Sequence, residues 1–231
     1  MKTTAANLTR WAGLSAMMAG ILFVVIQPIH PPDVLSSVTT ARWAIVHYLG
    51  VAMCLLGLLG MAGLYARQAE EAGWLGLAGY LLFSLFYALT LAFQFAEAFI
   101  SPRLATEAPR FVEGFLGIVT GSASEVNLGA LPAVYMLNGV GPYLLGGVLF
   151  GIATLRAGVL PRWPAGAFAA AAPVSALAAA LLPHELERIA AVPVGLSLAW
   201  LGYALWSERR EHAAEPVPGR GSPRLRRAAA D

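Results

Sequence analysis

Tyr80, Ser84, Tyr87, Thr90, Gln94 and Glu97 recur every three or four residues inside an apolar run. On an α-helix at 100° per residue they fall within an arc of roughly 140°, so one side of that helix is polar from its middle to one end. Such a side does not face lipid and belongs against the bundle interior or a water-filled cavity. Glu97, at its end, is an ionisable group expensive enough inside a membrane to be a functional candidate in its own right.

Other chemistry-bearing residues are placed to join it. His47 lies within the preceding apolar run, His30 and Asp33 follow the first run, Glu125 and Asn127 precede the fourth, and His184 and Glu185 separate the last two. The candidate polar pocket is therefore Glu97, Gln94, Thr90, Tyr87, His47, His30, Glu125, Asn127 and His184, closed by the long connection 101–124 acting as a lid. Taken singly, His30, Asp33, His184 and Glu185 also read as solvated loop residues. Glu97 and His47 also read as a register-fixing pair, with Arg42 or Arg103 as alternative partners for the carboxylate. As chemistry, Glu97 assisted by His47 suits acid–base work on a bound molecule. No metal is expected, since His-x-x-His, His-Glu-x-x-His and Glu-x-x-His are all absent and the single Cys54 cannot build a cluster. No Gly-x-Ser-x-Gly elbow or phosphate-binding loop occurs, and no cofactor is expected.

The elements that must hold these groups are membrane helices. The 231 residues are 58% hydrophobic and 12% charged, with a mean hydropathy of +0.67, against about a quarter charged in soluble domains. Six apolar runs, 11–29, 43–65, 74–100, 128–155, 163–182 and 189–206, come near the ~20 residues that cross a bilayer. This predicts an all-α polytopic bundle of six transmembrane helices spanning residues 1–206. Trp11, Trp43, Tyr65, Trp74, Trp163 and Trp206 at their ends suit an interfacial belt. Lys2 and Arg10 ahead of the first run have the look of a leader, but no small-x-small site follows, so an uncleaved helix is expected.

With both termini cytoplasmic, eleven basic residues lie inside and four, Arg42, Arg103, Arg110 and Arg188, lie outside. The fourth run is long for one span and contains Pro132 and Asn138-Gly139-Val140-Gly141-Pro142, which predicts a kink or an unwound turn near mid-membrane. Segment 111–121 then reads as an interfacial or re-entrant piece. Splitting 111–137 from 142–155 gives seven spans, the second choice. Residues 207–231 are expected to form a disordered, Arg-rich cytoplasmic tail that meets anionic lipid rather than nucleic acid.

Small residues at helical spacing (Gly50, Cys54 and Gly57; Gly147 and Gly151; Gly195 and Gly202) mark close helix contacts within the bundle rather than a dimer face. Gly-Leu-Ser with a glycine seven residues on occurs twice, at Gly13/Gly20 and Gly195/Gly202, which chance also explains. In composition the chain is similar to small Ala/Leu/Gly-rich multi-span proteins of high-GC bacteria, a likeness that carries no motif. It implies a bacterial cytoplasmic membrane. The expected function is binding, sensing or transport of a small amphiphile or lipid through an outward polar pocket. The alternatives are an intramembrane enzyme acting on a lipid or isoprenoid-like substrate, and an accessory subunit of a membrane complex.

Overall fold

A computed structural model describes residues 4–182 and 188–214, and among them all regular structure is helical. Helix α1 covers Ala5–Ile29 and is capped by Thr4, whose hydroxyl accepts from the Asn7 amide at 3.3 Å. A single turn, α2 (Leu35–Val38), leads into α3 (Ala41–Phe95), which passes through a π-helical turn at Ala96–Ile100 into α4 (Ser101–Glu107). After α5 (Pro109–Gly117) come α6 (Leu131–Asn138), a second π-helical stretch (Gly139–Leu145), α7 (Gly146–Ala157), α8 (Arg162–Leu181) and α9 (Val192–Ala214). Among the described residues, four helical stretches are long and apolar enough to cross a membrane: Asn7–Ile29, Ala41–Glu107, Leu131–Ala157 and Arg188–Ser207.

The 67-residue stretch is not a rod. Gln68 and Gly73 leave helical geometry, and Gly73 has φ +55° and ψ −152°, a conformation in which any Cβ is strained. The chain turns back there, so that Gly57 faces the ring of Tyr87 and Gly50 faces Gln94 across two antiparallel arms. Gln68 Nε2 donates to Thr154 Oγ1 at 2.7 Å, both residues fully buried, and pins the turn to α7.

The helical rods close into a ring. α1 packs on α9 and on the first arm of α3, the second arm packs on α7, α7 on α8, and α8 on α9. Glycines set the closest approaches. A Cβ on Gly13 or Gly20 would collide with the backbone of α9, and one on Gly195 or Gly202 with α1, at pairings 13 with 202 and 20 with 195 that make the two helices antiparallel. The repeated Gly-Leu-Ser segments are thus two sides of one seam. Gly79 and Gly146 do the same between the second arm and the α6–α7 helix, and Gly151 meets Ala169 of α8. Phe83, Tyr87, Phe150, Phe168, Met61, Leu198 and Leu201 fill the middle of the ring.

Several expectations change. The fourth helix does not unwind at Asn138–Pro142; it absorbs Pro142, which has no N–H to give, by widening into a π-helix, and the helix runs unbroken from Leu131 to Ala157. It begins three residues later than the apolar run, at a Pro132 suited to a first turn. No helix spans 111–137, because α5 stops at Gly117 and turn and loop follow to Ala130, which removes the basis of a seven-helix count. Beyond Trp206 the backbone stays helical to Ala214 through Glu, Arg and Ala, all good helix formers; residues 215–231 lie outside the described part.

Candidate functional site

The two arms of α3 bring His47 and Glu97 together at the end of the bundle away from the Gln68 turn. His47 Nε2 lies 3.3 Å from Glu97 Oε2, with the histidine fully buried and the carboxyl side chain 11% exposed. Gln94 Nε2 donates to the same oxygen at 3.3 Å, and Gly50 leaves the space that Gln94 occupies. His47 Nδ1 is 2.8 Å from the Trp43 carbonyl one turn earlier. A carbonyl only accepts, so Nδ1 carries the hydrogen, and a neutral His47 presents the bare lone pair of Nε2 to the carboxyl. Two lone pairs facing each other repel, and a proton taken up between them would relieve that repulsion. Nε2 makes no properly directed hydrogen bond despite its distance.

The π-helical turn contributes directly. Ser101 N–H bonds to Ala96 O, five residues back, and the Glu97 carbonyl instead accepts from Trp43 Nε1 at 2.9 Å. Trp43 stacks on His47 with ring centroids 4.0 Å apart, and His30, which ends α1, stands edge-on to His47 at 5.1 Å and to Trp43 at 5.9 Å. Its Nδ1 lies 2.7 Å from the Pro31 carbonyl. Burial first, then the nearby Arg188 guanidinium, pushes the His30 imidazole down to about 4, with Asp33 partly opposing. Asp33 and Arg188 form an ion pair with side chains 6% and 20% exposed, tying the end of α1 to the start of the last helix.

A cap covers this centre. Val38 of α2 and Val112 and Leu116 of α5 pack with Trp43. On the other flank, Phe115, Ile118 and Leu128 pack on Phe93 and Ala96, so the chain 115–128 rests on the π-helical turn itself. Outside that contact lies an open groove of about 360 Å³, polar at Ser122, Ser124 and Asn127 and apolar at Ile118, Pro132 and Met136.

The nine pocket candidates therefore separate. His30, His47, Gln94 and Glu97 meet in one closed, filled centre. Tyr87 lies deeper, its hydroxyl buried without a partner, and Thr90 Oγ1 accepts from Asn138 Nδ2 at 3.0 Å. Asn127 lines the groove and its Oδ1 accepts from Gly129 N at 2.8 Å. Glu125 pairs with Arg110 at 3.7 Å, both about three-quarters exposed, away from Glu97. His184 lies outside the described residues. The side chain that meets the Glu97 carboxyl is His47 and not Arg42, whose Nε donates to the Ile29 carbonyl at 2.8 Å. Asp33 is a buried ion-pair member rather than a solvated loop residue.

Trp43 was legible only as a belt residue, yet it is fully buried and holds both partners of the pair, whereas Trp74 and Trp163 are 85% and 86% exposed as belt residues should be. Its spacing of four from His47 was the available signal. Arg188 and the Gln68–Thr154 contact carried none that separates them from ordinary loop and helix residues. No protein-family model matches the chain, and no curated protein or solved structure matches it.

Proposed function

We propose that this chain is a six-span protein of a bacterial cytoplasmic membrane that binds, senses or transports a small amphiphile at its outward end, with proton occupancy of the His47–Glu97 pair as the linked variable. The observation that carries the reading is the 3.3 Å approach of a buried imidazole, its tautomer fixed by Trp43, to a buried carboxyl. The centre is packed with its own side chains, so the ligand it takes without rearrangement is a proton. The amphiphile belongs in the groove beside it, whose volume of about 360 Å³ suits a small ligand and whose lining offers a polar edge and an apolar floor. Ile118 and Leu128 connect the two, since both pack against the turn that carries Glu97.

The hairpin supports the span count. A straight Ala41–Glu107 helix would be about 100 Å long at 1.5 Å per residue, some three bilayer cores, so its two arms count as two passes. With α1, the α6–α7 helix, α8 and α9 they make six. Arg10 lies over the Trp206 ring at 5.4 Å, which supports ends on one side, and the excess of basic residues assigns that side to the cytoplasm.

Intramembrane catalysis is the second reading, favoured by the same His47–Glu97 approach, and it requires α5 to move off Trp43 to admit a substrate. The primary reading is tested by thermal shift of detergent-purified protein against a panel of lipids and isoprenoids at acid and neutral pH. We expect one class to stabilise the native protein by an amount that changes with pH, and Glu97→Gln to keep the shift while losing its pH dependence. The absence of any ligand-specific shift at either pH would remove the amphiphile from the account.

A further inference from the structure

Behind the His47–Glu97 pair a line of buried and half-buried polar side chains runs back into the bundle. On the second arm of α3, Gln94 is followed inward by Thr90, Tyr87 and Ser84, each one helical turn from the next and so with Cβ atoms about 5–6 Å apart. Asn138, from the helix across, joins at the level of Thr90. Five buried side-chain atoms among the described residues have no hydrogen-bond partner: His47 Nε2, Asn138 Oδ1, Tyr87 OH, Ser84 Oγ and Gln68 Oε1. The first four follow this line in order, and the fifth lies at the far end of the same hairpin. Packing alone does not arrange them so. A polar group buried only to set helix register finds its partner on the neighbouring helix, as Tyr143 does with Ser175 at 2.7 Å.

We propose that this line is a proton path running inward from the His47–Glu97 pair, its gaps bridged by water. The inference rests on the reading of that pair as a proton site. Water suits the role because each orphaned atom offers it a hydrogen bond, and because Ser, Tyr and Asn side chains both accept and donate. A proton arriving from outside forms an O–H or N–H bond within the pair. When it leaves inward, that bond breaks, and each hydroxyl or water along the line accepts one proton and releases another. The net change is one proton moved, with no electron transferred. The charged and titratable groups around the outer mouth are His30 at the end of α1, Asp33, Arg188 at the start of the last helix, and Arg42 on the pair's own arm. Around Tyr87 they are Cys54 and Tyr143.

The test is proton flux into vesicles of neutral lipid holding the full chain and a trapped pH dye, with valinomycin and potassium clamping the voltage. We expect native protein to collapse an imposed pH gradient severalfold faster than protein-free vesicles. Tyr87→Phe, which keeps the ring against Gly57 and removes only the hydroxyl, and Glu97→Gln should each return the rate to the protein-free value. Flux no faster than empty vesicles, or flux untouched by both substitutions, overturns the path. A pH-linked ligand shift that survives alongside absent flux would leave the site reading standing and sink the path alone. Ser84→Ala serves as the second variant should Tyr87→Phe fail to fold.

Discussion

His30 is the residue whose protonation leaves the clearest mark on folding. Its imidazole titrates at about 4 in the folded chain against 6.5 when unconstrained, because burial and the Arg188 charge both disfavour the cation. Between those two values the unfolded chain binds a proton that the folded chain refuses. Stability from this group is therefore complete above about 6.5 and is lost as pH falls toward 4. Melting temperatures in detergent across that window should decline with falling pH, and His30→Gln should flatten the decline. An equal slope in both proteins would assign the acid sensitivity to another group. The His47 tautomer gives a complementary case in which geometry rather than burial sets the behaviour. Trp43 holds it twice, through its own carbonyl to Nδ1 and by stacking, and its indole N–H holds Glu97. That double duty explains why the residue sits inside the bundle instead of at the lipid surface.

Among the elements, the α1–α9 seam has the least tolerance. Gly20 and Gly202 let two backbones touch, and a methyl group at either has backbone atoms in its way rather than a side chain that can swing aside. Gly20→Ala and Gly202→Ala should each cost about 1–3 kcal/mol as overpacking, read as a lowered melting temperature. Gly166→Ala in α8, where the nearest atom is a Leu155 methyl at 4.0 Å, should be neutral or slightly stabilising. Equal effects at all three would mean that the seam does not govern stability. The spacing of these glycines was visible in the sequence, but their pairing was not, because in an Ala/Leu/Gly-rich chain a repeat has no contrast against background. Much else was legible where period and chemistry coincided. The polar side of the second arm of α3, from Tyr80 to Glu97, faces the interior while Leu81, Leu85 and Phe95 are exposed. Pro142 marked the disturbance in the fourth helix, though not its form, since whether a missing N–H ends in a break or a π-turn depends on neighbours that hold the two halves in line. The single pocket split into a centre and a groove because Glu125 and Asn127 sit on a loop whose path no periodicity fixes.

For the molecule as a whole, the ring order makes a claim about topology. The rods pack as α9, α1, the two arms of α3, α7, α8 and back to α9, and six rods that alternate in direction along the chain close this ring with each antiparallel to the next. The antiparallel glycine seam between first and last helices meets that condition independently. The same geometry places the cap formed by α2 and α5, and with it the groove and the His47–Glu97 pair, at the end opposite to Arg10 and Trp206. If the ends of the chain are cytoplasmic, the cap meets the outside. Thiol labelling of intact cells checks this after Cys54, buried and alone, is removed as Cys54→Ala. In that background Ser122→Cys, on the exposed rim of the groove, should react with a membrane-impermeant maleimide from outside. Ser207→Cys should react only after permeabilisation. Reversed labelling would turn the centre toward the cytoplasm and change the pH it experiences, whereas labelling of both from one side would break the closed ring and the span count with it.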